Sequence, residues 1–404
     1  MKSKAKKSFK KTKKYELLAP AGDFSMLNAA INAGADAVYL GLNKYTMRAN
    51  AKNFTINDLP EIRKICRNSK RKVKIYLTLN SIVFDEELKD IKNIIKQSKK
   101  YIDAVICWDL AVIRLCTKYK IPFFISTQAS VSNSSAARFY KKLGAKRIIL
   151  ARELNLKQIK EISKIIEIEC FCHGAMCVSI SGRCLTSQFL FNKSANRGEC
   201  LHPCRRSYTV KDTQEGYELE IENNKVFSAK DLCTLPFIEK LKQAGITGFK
   251  IEGRNRDARY VDSVVRIYRK ALDKKLSNKE IESSMKELEK IYNKGFSSGF
   301  YLGIPSSDDF SKTENSSAKE KKHFVGKAIH YFPNVGVAAI RLVSELKVGD
   351  EISVIGNTTG IIHSKIQRIE IKNKSVQKAK KGADIGIKLP LVRKNDEVYV
   401  IKKF

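Results

Sequence analysis

Short apolar runs, many of them β-branched, alternate with amphipathic segments from Tyr15 to about residue 272. Apolar runs of this length separated by helical periodicity are typical of β-strand and α-helix units in a parallel sheet. Eight strands are predicted, at Glu16–Ala19, Ala37–Leu42, Val73–Leu79, Ala104–Trp108, Phe123–Thr127, Arg147–Ala151, Glu169–His173 and Gly248–Glu252. Helices are predicted between them, including Ser25–Ala33, Leu59–Asn68, Glu86–Lys99, Ala136–Leu143 and Leu156–Ile166.

Eight such units favour an α/β fold of the (β/α)8 TIM-barrel type, although a doubly wound open sheet has a similar pattern. In a barrel, the residues that follow each strand line the active face. The polar residues at these positions therefore become candidates, among them Asn80, Gln128, Arg152, Glu153, His173, Glu252 and Arg254.

The pattern also predicts the domain organisation. Residues 1–14 form a basic tail, and residues 15–305 form the barrel domain with a cysteine-rich insertion at 174–235. Residues 306–322 are polar and indicate a linker. From 323 to 404 short alternating strands with glycine turns predict a small C-terminal β-barrel.

The chain of 404 residues carries a formal net charge of +35. A field of this sign attracts phosphate backbones and anionic substrates, so nucleic acid is the leading candidate partner. General lysine richness, without a nucleic-acid partner, is the alternative. We expect no membrane association, because no apolar run approaches the ~20 residues that a spanning helix needs.

Seven of the ten cysteines lie between Cys170 and Cys233. No apolar signal peptide precedes them, so we expect a cytoplasmic protein, in which dense cysteines ligate metals more often than they form disulfides. Cys177, Cys184, Cys200 and Cys233 are separated by 7, 16 and 33 positions. Such wide spacing suits an iron–sulfur cluster better than zinc, although zinc binding and simple packing stay open.

Several separated motifs occur in one order along the chain. They are Leu18–Gly22 (LAPAG), Glu169–Ser187 (ECFCHGAMCVSISGRCLTS), Asn196–Arg205 (NRGECLHPCR), Ser228–Cys233 (SAKDLC) and Lys250–Arg254 (KIEGR). Together they resemble the collagenase-like peptidase family U32, with Thr186 as a departure from the usual aliphatic residue. The layout with a C-terminal β-domain is most similar to the prephenate-dependent tRNA uridine hydroxylases of that family.

The resemblance implies an oxygen-independent hydroxylase with a [4Fe-4S] cluster. It implies 5-hydroxyuridine formation at the tRNA wobble position with prephenate as the hydroxyl donor. Relatives hydroxylate ribosomal RNA or a quinone precursor, and some act as two-protein pairs, so a related-protein partner stays open. By motif position the cluster ligands would be Cys177, Cys184, Cys200 and Cys233, with Cys204 as the rival of Cys200.

Other candidate site residues follow from their chemistry. Arginines at a barrel mouth can clamp the carboxylates of a dicarboxylate such as prephenate, and the candidates are Arg48, Arg152, Arg183 and Arg254. His173, Glu153 and Glu252 are the candidate acid–base groups. Salt bridges that hold the barrel mouth together, and a histidine bonded to backbone, are the structural alternatives.

Arg205, Arg206 and Tyr208 follow the cysteines and combine the side chains that stack on and grip single-stranded RNA. Two further functions stay open: a metal-dependent peptidase and a non-catalytic RNA-binding or assembly factor. The sequence has no H-E-x-x-H motif. Its one G-x-S-x-G match, Gly295–Gly299, follows a predicted helix and enters a loop, whereas a nucleophile elbow follows a strand and opens a helix.

Overall fold

The computed structural model describes residues 15–206, 208, 210–211, 213–216, 218–219, 227–313 and 315–404. The predicted basic tail, residues 1–14, lies outside the described residues. No helix in the described part of the chain is both long and apolar enough to cross a membrane.

Residues 16–273 form a closed parallel barrel, which confirms the predicted α/β barrel. Its strands are β1 (Glu16–Pro20), β2 (Ala37–Gly41), β3 (Lys74–Leu79), β4 (Ala104–Cys107), β5 (Phe123–Ile125), β6 (Arg147–Ile149), β7 (Glu167–Gly174) and β11 (Gly248–Ile251). Strands β1 to β7 pair in sequence order, and β11 pairs with both β1 and β7. The closed ring distinguishes the barrel from an open doubly wound sheet.

Helices cover the outside of the barrel. They are α1 (Phe24–Ala33), α2 (Leu59–Asn68), α3 (Leu88–Ser98), α4 (Leu110–Lys118), α5 (Ser134–Lys142), α6 (Leu156–Ser163), α8 (Ile238–Gln243) and α9 (Ala258–Asp273), with α10 (Asn278–Lys290) after them. Asp23, Asp109 and Asn133 accept hydrogen bonds from backbone amides in the first helical turns, which stabilises those helices. Strands such as β2 are wholly buried, which explains their continuous apolar runs.

Charged residues fill one end of the barrel interior. Arg147 is buried and forms ion pairs with Glu16 at 2.6 Å and with Glu169 at 3.0 Å. Lys250 reaches the same Glu169 carboxylate at 3.4 Å. These pairs satisfy charges that would be costly to bury alone.

The cysteine-rich segment leaves the barrel after β7 and returns at β11, as predicted. It contains α7 (Thr186–Phe191), β8 (Val210–Lys211), β9 (Glu218–Leu219) and β10 (Asp231–Cys233). Strand β10 pairs antiparallel to β7 and extends that sheet. Gly198 packs so closely on the loop after β2 that an added Cβ would lie 2.1 Å from the Thr46 carbonyl oxygen. The insertion is thereby fixed over the mouth of the barrel.

The C-terminal region is an antiparallel β-domain, as predicted. After β12 (Phe296–Ser297) its strands are β13 (Glu320–Phe332), β14 (Val337–Leu342), β15 (Leu346–Lys347), β16 (Glu351–Gly356), β17 (Gly360–Lys365), β18 (Ile369–Ile371), β19 (Lys374–Val376), β20 (Lys378–Ala379), β21 (Asp384–Lys388) and β22 (Glu397–Lys403). The first of them begins inside the predicted linker. Ion pairs from Arg259 to Glu320 and from Lys322 to Asp257 dock this domain on the barrel.

Candidate functional site

A cavity of about 700 Å³ lies where the cysteine-rich insertion covers the carboxyl ends of the barrel strands. Its wall combines strand-end residues, the loop after β2 and the insertion. The lining residues with polar or ionisable side chains include Tyr39, Arg48, Asn80, Ser126, Gln128, Arg152, Cys177, Cys184, Cys200, His202, Cys204, Arg205, Tyr208, Lys250, Glu252 and Arg254. Most of the site residues predicted from sequence therefore meet in one place.

The cavity wall is strongly cationic. Among the described residues, five cationic side chains and one carboxylate, that of Glu252, line it; the cations are Arg48, Arg152, Arg205, Lys250 and Arg254. Glu252 forms an ion pair with Arg48 at 3.1 Å. Burial by itself raises the pKa of the Glu252 carboxyl, but the charges of Arg48, Arg254 and Arg152 outweigh this effect and lower it. Glu252 is thus held as a carboxylate, and the remaining positive charge favours an anionic ligand.

Arg254 is buried without an acidic partner among the described residues. Its guanidinium donates to Thr46 Oγ1 at 2.7 Å and to Thr78 Oγ1 at 3.3 Å. Burial lowers its pKa to about 10. Gly41 makes room for this side chain, because an added Cβ would lie 2.1 Å from Arg254 Nη1. A buried guanidinium bonded only to hydroxyls is well suited to receive a carboxylate.

Arg152 is the second cavity arginine without an ion pair among the described residues. It donates to the Ala175 carbonyl at 3.1 Å, and its guanidinium lies 5.1 Å from the centre of the Phe171 ring. The backbone bond and the ring contact fix the direction of the side chain. Arg152 and Arg254 together could bind two carboxylates.

Lys250 was not predicted as a site residue, although it begins the KIEGR motif. It lines the cavity, and its ammonium lies 4.4 Å from the centre of the Tyr39 ring. Burial lowers the pKa of Lys250, and Glu169 opposes that effect. The signal available in the sequence was its position two residues before Glu252, since alternate residues of a strand share a face.

A neutral polar group lies on the opposite part of the wall. Asn80 donates to Ser126 Oγ at 3.2 Å, and Ser126 donates to the Gln128 side-chain oxygen. Asn80 also accepts from the Met47 amide at 3.3 Å. Asn80 and Gln128 were predicted from their strand ends. Ser126 was missed because the predicted strand runs to Thr127, whereas β5 ends at Ile125.

Four cysteines of the insertion line the cavity: Cys177, Cys184, Cys200 and Cys204. Burial raises the pKa of Cys204 to about 11; Arg205 opposes this effect, and the nearby thiols of Cys177, Cys200 and Cys184 increase it. Backbone amides of Thr186 and His202 donate to the sulfurs of Cys184 and Cys200, each at 3.4 Å. Such amide donors stabilise thiolates.

Cys233 lies elsewhere. It sits on β10, is 4% exposed and does not line the cavity. Its sulfur is 3.7 Å from the Tyr268 hydroxyl and 3.6 Å from the Met285 sulfur. The structure therefore groups Cys204 with the other three cysteines and leaves Cys233 packed in the core.

His173 also lies outside the cavity. Its ring is surrounded by Tyr260, Tyr268 and Phe296, with centroids 5.5 to 6.0 Å away. Burial lowers its pKa to about 3, so the imidazole is neutral. The described hydrogen-bond partner of the ring is the Tyr268 hydroxyl, 3.4 Å from His173 Nδ1, and not the backbone group of the structural alternative. This packed environment favours a structural role over an acid–base role.

The remaining predicted residues hold the insertion in place or lie beside the cavity. Glu153 accepts hydrogen bonds from the Ser181 amide at 2.6 Å and from its hydroxyl at 3.2 Å. Arg183 donates to Ser130 Oγ at 3.1 Å. Neither lines the cavity. Both instead tie the insertion to the barrel loops.

The three predicted RNA-binding residues differ in their surroundings. Arg205 donates to the Met176 carbonyl at 2.9 Å, and Tyr208 donates to the Pro203 carbonyl at 2.8 Å, so both support the cavity wall. Arg206 stacks its guanidinium 4.4 Å from the centre of the Phe191 ring. Of the three, Arg206 alone lies outside the cavity lining.

Comparisons with known proteins agree with this architecture. A collagenase of Porphyromonas gingivalis is 40% identical, with 96% of this chain and 98% of that protein aligned. The tRNA hydroxylation protein P1 of Bacillus subtilis is 34% identical over 85% of this chain and 84% of its own length. The 23S rRNA 5-hydroxycytidine C2501 synthase of Escherichia coli is 38% identical over 64% of this chain and 39% of its own length. Residues 22–311 match peptidase family U32, and the chain therefore belongs to that family.

Proposed function

We propose that this protein is an oxygen-independent RNA hydroxylase that forms 5-hydroxyuridine at the wobble position of tRNA, with an iron–sulfur cluster and prephenate as the hydroxyl donor. The observation that carries the proposal is the cavity itself. Four cysteines and five cationic side chains line a single space at the mouth of the barrel.

The cysteine arrangement is compatible with a [4Fe-4S] cluster. Such clusters are held by four thiolates. The thiols of Cys177, Cys184, Cys200 and Cys204 all line one cavity, so their number and kind fit such a cluster.

When bound, the cluster would supply one-electron redox chemistry or a binding position for the oxygen donor. Cys177, Cys184, Cys200 and Cys204 would hold it, which places Cys204 in the position first assigned to Cys233. Backbone amides that donate to Cys184 and Cys200 would stabilise the thiolates.

The cationic wall supports a dicarboxylate donor such as prephenate. Arg152 and Arg254 carry no ion pair among the described residues, so their guanidinium groups remain available to the two carboxylates. Glu252, held ionised by Arg48, would orient that arginine rather than act as an acid. Lys250 is the cavity group that could donate or accept a proton, because burial lowers its pKa.

The RNA substrate is supported by the names of relatives and by charge. A tRNA hydroxylation protein and a ribosomal RNA hydroxycytidine synthase both align with this chain. The first name describes hydroxylation of tRNA, and the second describes formation of a hydroxylated cytidine in ribosomal RNA. The net charge of +35 favours a polyanionic substrate. A cytoplasmic location follows from this substrate, and ribosomal RNA is the alternative substrate.

A peptidase activity has less support from the cavity. Ser297 of the G-x-S-x-G match lies on β12, outside the cavity lining. The cavity histidine, His202, has no triad partner within the described part of the chain, and burial lowers its pKa. The name of the collagenase relative remains the reason to test gelatin cleavage.

The test is purification under anaerobic conditions followed by iron and sulfide analysis and a tRNA assay. We expect a brown protein with about four iron atoms per chain, as a four-iron cluster requires. Incubation with prephenate and unmodified tRNA should yield 5-hydroxyuridine in nucleoside digests. A colourless, zinc-containing protein would contradict the cluster, and hydroxylation of ribosomal RNA alone would replace tRNA as the substrate.

The cluster ligands can be tested with two cysteine variants. We expect Cys204→Ser to lose the visible cluster absorbance and most bound iron, because the thiol lines the cavity. Cys233→Ser is the matched control and should retain the cluster, because its sulfur contacts Tyr268 and Met285 instead. The opposite result would restore Cys233 as a ligand.

A further inference from the structure

The outer surface of the cysteine-rich insertion is unusually apolar. Seven large apolar side chains of the insertion are exposed among the described residues, and we call six of them, all but Leu201, the apolar rim: Val178, Ile180, Leu185, Phe189, Leu190 and Phe227. Phe189, on α7, is 83% exposed. Val178, Leu190 and Phe227 also line the cavity, so the rim is continuous with its entrance. Contiguous exposed apolar surface usually marks a binding site.

The stretch from residue 175 to residue 206, which carries five of the six rim residues, has five basic residues. Between residues 175 and 206 the only acidic residue is Glu199, which lies 3.9 Å from Lys193. Arg206 stacks on the Phe191 ring, and Arg183 bonds only a serine hydroxyl among the described residues. The core of a protein interface is depleted of charged residues, whereas single-stranded nucleic acid requires both flat apolar faces and cations.

We propose that the apolar rim, with Phe189 at its most exposed point, is a stacking surface for unpaired nucleobases of the RNA. These bases would flank the one that enters the cavity. This inference rests on the proposed function, because it takes RNA as the substrate. The stacking surface specifies where the neighbouring nucleotides would bind. It also explains why a single-stranded loop would be selected over a duplex, because the faces of paired bases are not available for stacking on protein side chains.

The first experiment measures RNA affinity by fluorescence anisotropy with a labelled anticodon stem-loop. We expect Phe189→Ala to weaken binding by at least about fivefold, the lower limit for one lost base–aromatic stack. Ile304→Ala is the matched control, because Ile304 is 92% exposed but lies outside the insertion. It should bind RNA like the unsubstituted protein.

Two further readouts identify stacking. Phe189→Ala should leave the dependence of affinity on salt unchanged, because no phosphate contact is lost, whereas Arg206→Gln should reduce the slope by about one. Phe189→Trp should gain tryptophan emission above that of Trp108, the single native tryptophan. Single-stranded RNA should quench the added emission, and duplex RNA should not.

Two results would overturn the stacking surface. Unchanged RNA affinity in Phe189→Ala is one of them. Loss of a dimer by light scattering, with RNA binding retained, would identify the rim as a protein interface. The binding assay requires neither the cluster nor the hydroxyl donor, so it tests the stacking surface separately from the reaction. If Phe189→Ala loses RNA affinity but the native protein forms no hydroxylated nucleoside, the stacking surface is supported and the hydroxylase proposal is contradicted.

Discussion

Replacement of Arg254 by methionine should damage function without damaging the fold. The guanidinium is buried, and its pKa falls from 12.5 to about 10 because burial disfavours the cation. This difference corresponds to a loss of about 3 kcal/mol in the free energy of unfolding. The loss is fully present at neutral pH because the pH is below both pKa values. Two hydrogen bonds to threonine hydroxyls return about 2 kcal/mol. Arg254→Met should therefore leave stability unchanged or raise it by about 1 kcal/mol.

The threonines that lose the guanidinium keep other partners. Thr46 and Thr78 hydrogen-bond each other at 2.9 Å, and Thr78 also donates to the Leu40 carbonyl at 3.0 Å. Glu252 keeps its ion pair with Arg48 at 3.1 Å. No buried polar group is thus left without a partner by the substitution, which is the usual cause of a large loss of stability.

Arg269→Met is the matched control. Arg269 is also a buried arginine of the barrel, but it pairs with Asp36 at 2.5 Å and Asp273 at 2.6 Å. Asp36 keeps an ion pair with Arg71 at 3.3 Å and a hydrogen bond from the Leu17 amide at 2.9 Å, so we expect the lower end of the cost of breaking a buried pair, about 3 kcal/mol. At about 2–4 °C per kcal/mol, thermal melting should separate the two variants by roughly 10 °C.

The effect of the two substitutions on the KM for prephenate should have the opposite order to their effect on melting temperature. Arg254→Met should raise the prephenate KM by about 30-fold, the equivalent of a charge-assisted hydrogen bond of about 2 kcal/mol. The Arg269→Met protein that remains folded should keep a near-native KM. Equal losses of melting temperature in the two variants, or an unchanged KM in Arg254→Met, would refute the assignment of Arg254 as a carboxylate receptor.

Two more predictions concern backbone space and pH. Gly41→Ala should raise the prephenate KM and lower the melting temperature, because its Cβ would lie 2.1 Å from Arg254 Nη1 and 3.0 Å from the Cβ of buried Thr46, so both side chains must move. Gly303→Ala, whose Cβ meets no atom within 4 Å, should change neither quantity. Burial lowers the pKa of His173 from 6.5 to about 3. The folded state therefore has its full stability with respect to this group above pH 6.5, and that stability is lost as the pH falls from 6.5 towards 3. Urea midpoints across this range should fall less steeply for His173→Phe, and equal slopes in the two proteins would contradict the buried neutral imidazole.

The barrel and most of the cavity could be predicted from the amino-acid sequence. Strands such as β2 and β4 are continuous apolar runs because both of their faces are buried, which made the repeating strands recognisable. The carboxyl ends of parallel strands meet at one face, and this rule alone identified Arg152, Glu252 and Arg254. The motifs supplied the family and three of the four cavity cysteines.

The direction in which individual side chains point depends on tertiary packing. Phe171 and His173 alternate on β7 and should share a face, but the register between β7 and β11 shifts there, and Lys250 and Ile251 pair with Phe171 and His173. The extra residue, Cys172, turns His173 away from the cavity that Phe171 lines. Cys233 lies on a strand that packs its sulfur into the core, whereas Cys204 lies on the cavity wall. Spacing along a chain gives the distance between residues in sequence but not the direction in which their side chains point. Only the packing of the folded chain therefore distinguishes the cavity cysteine Cys204 from the core cysteine Cys233.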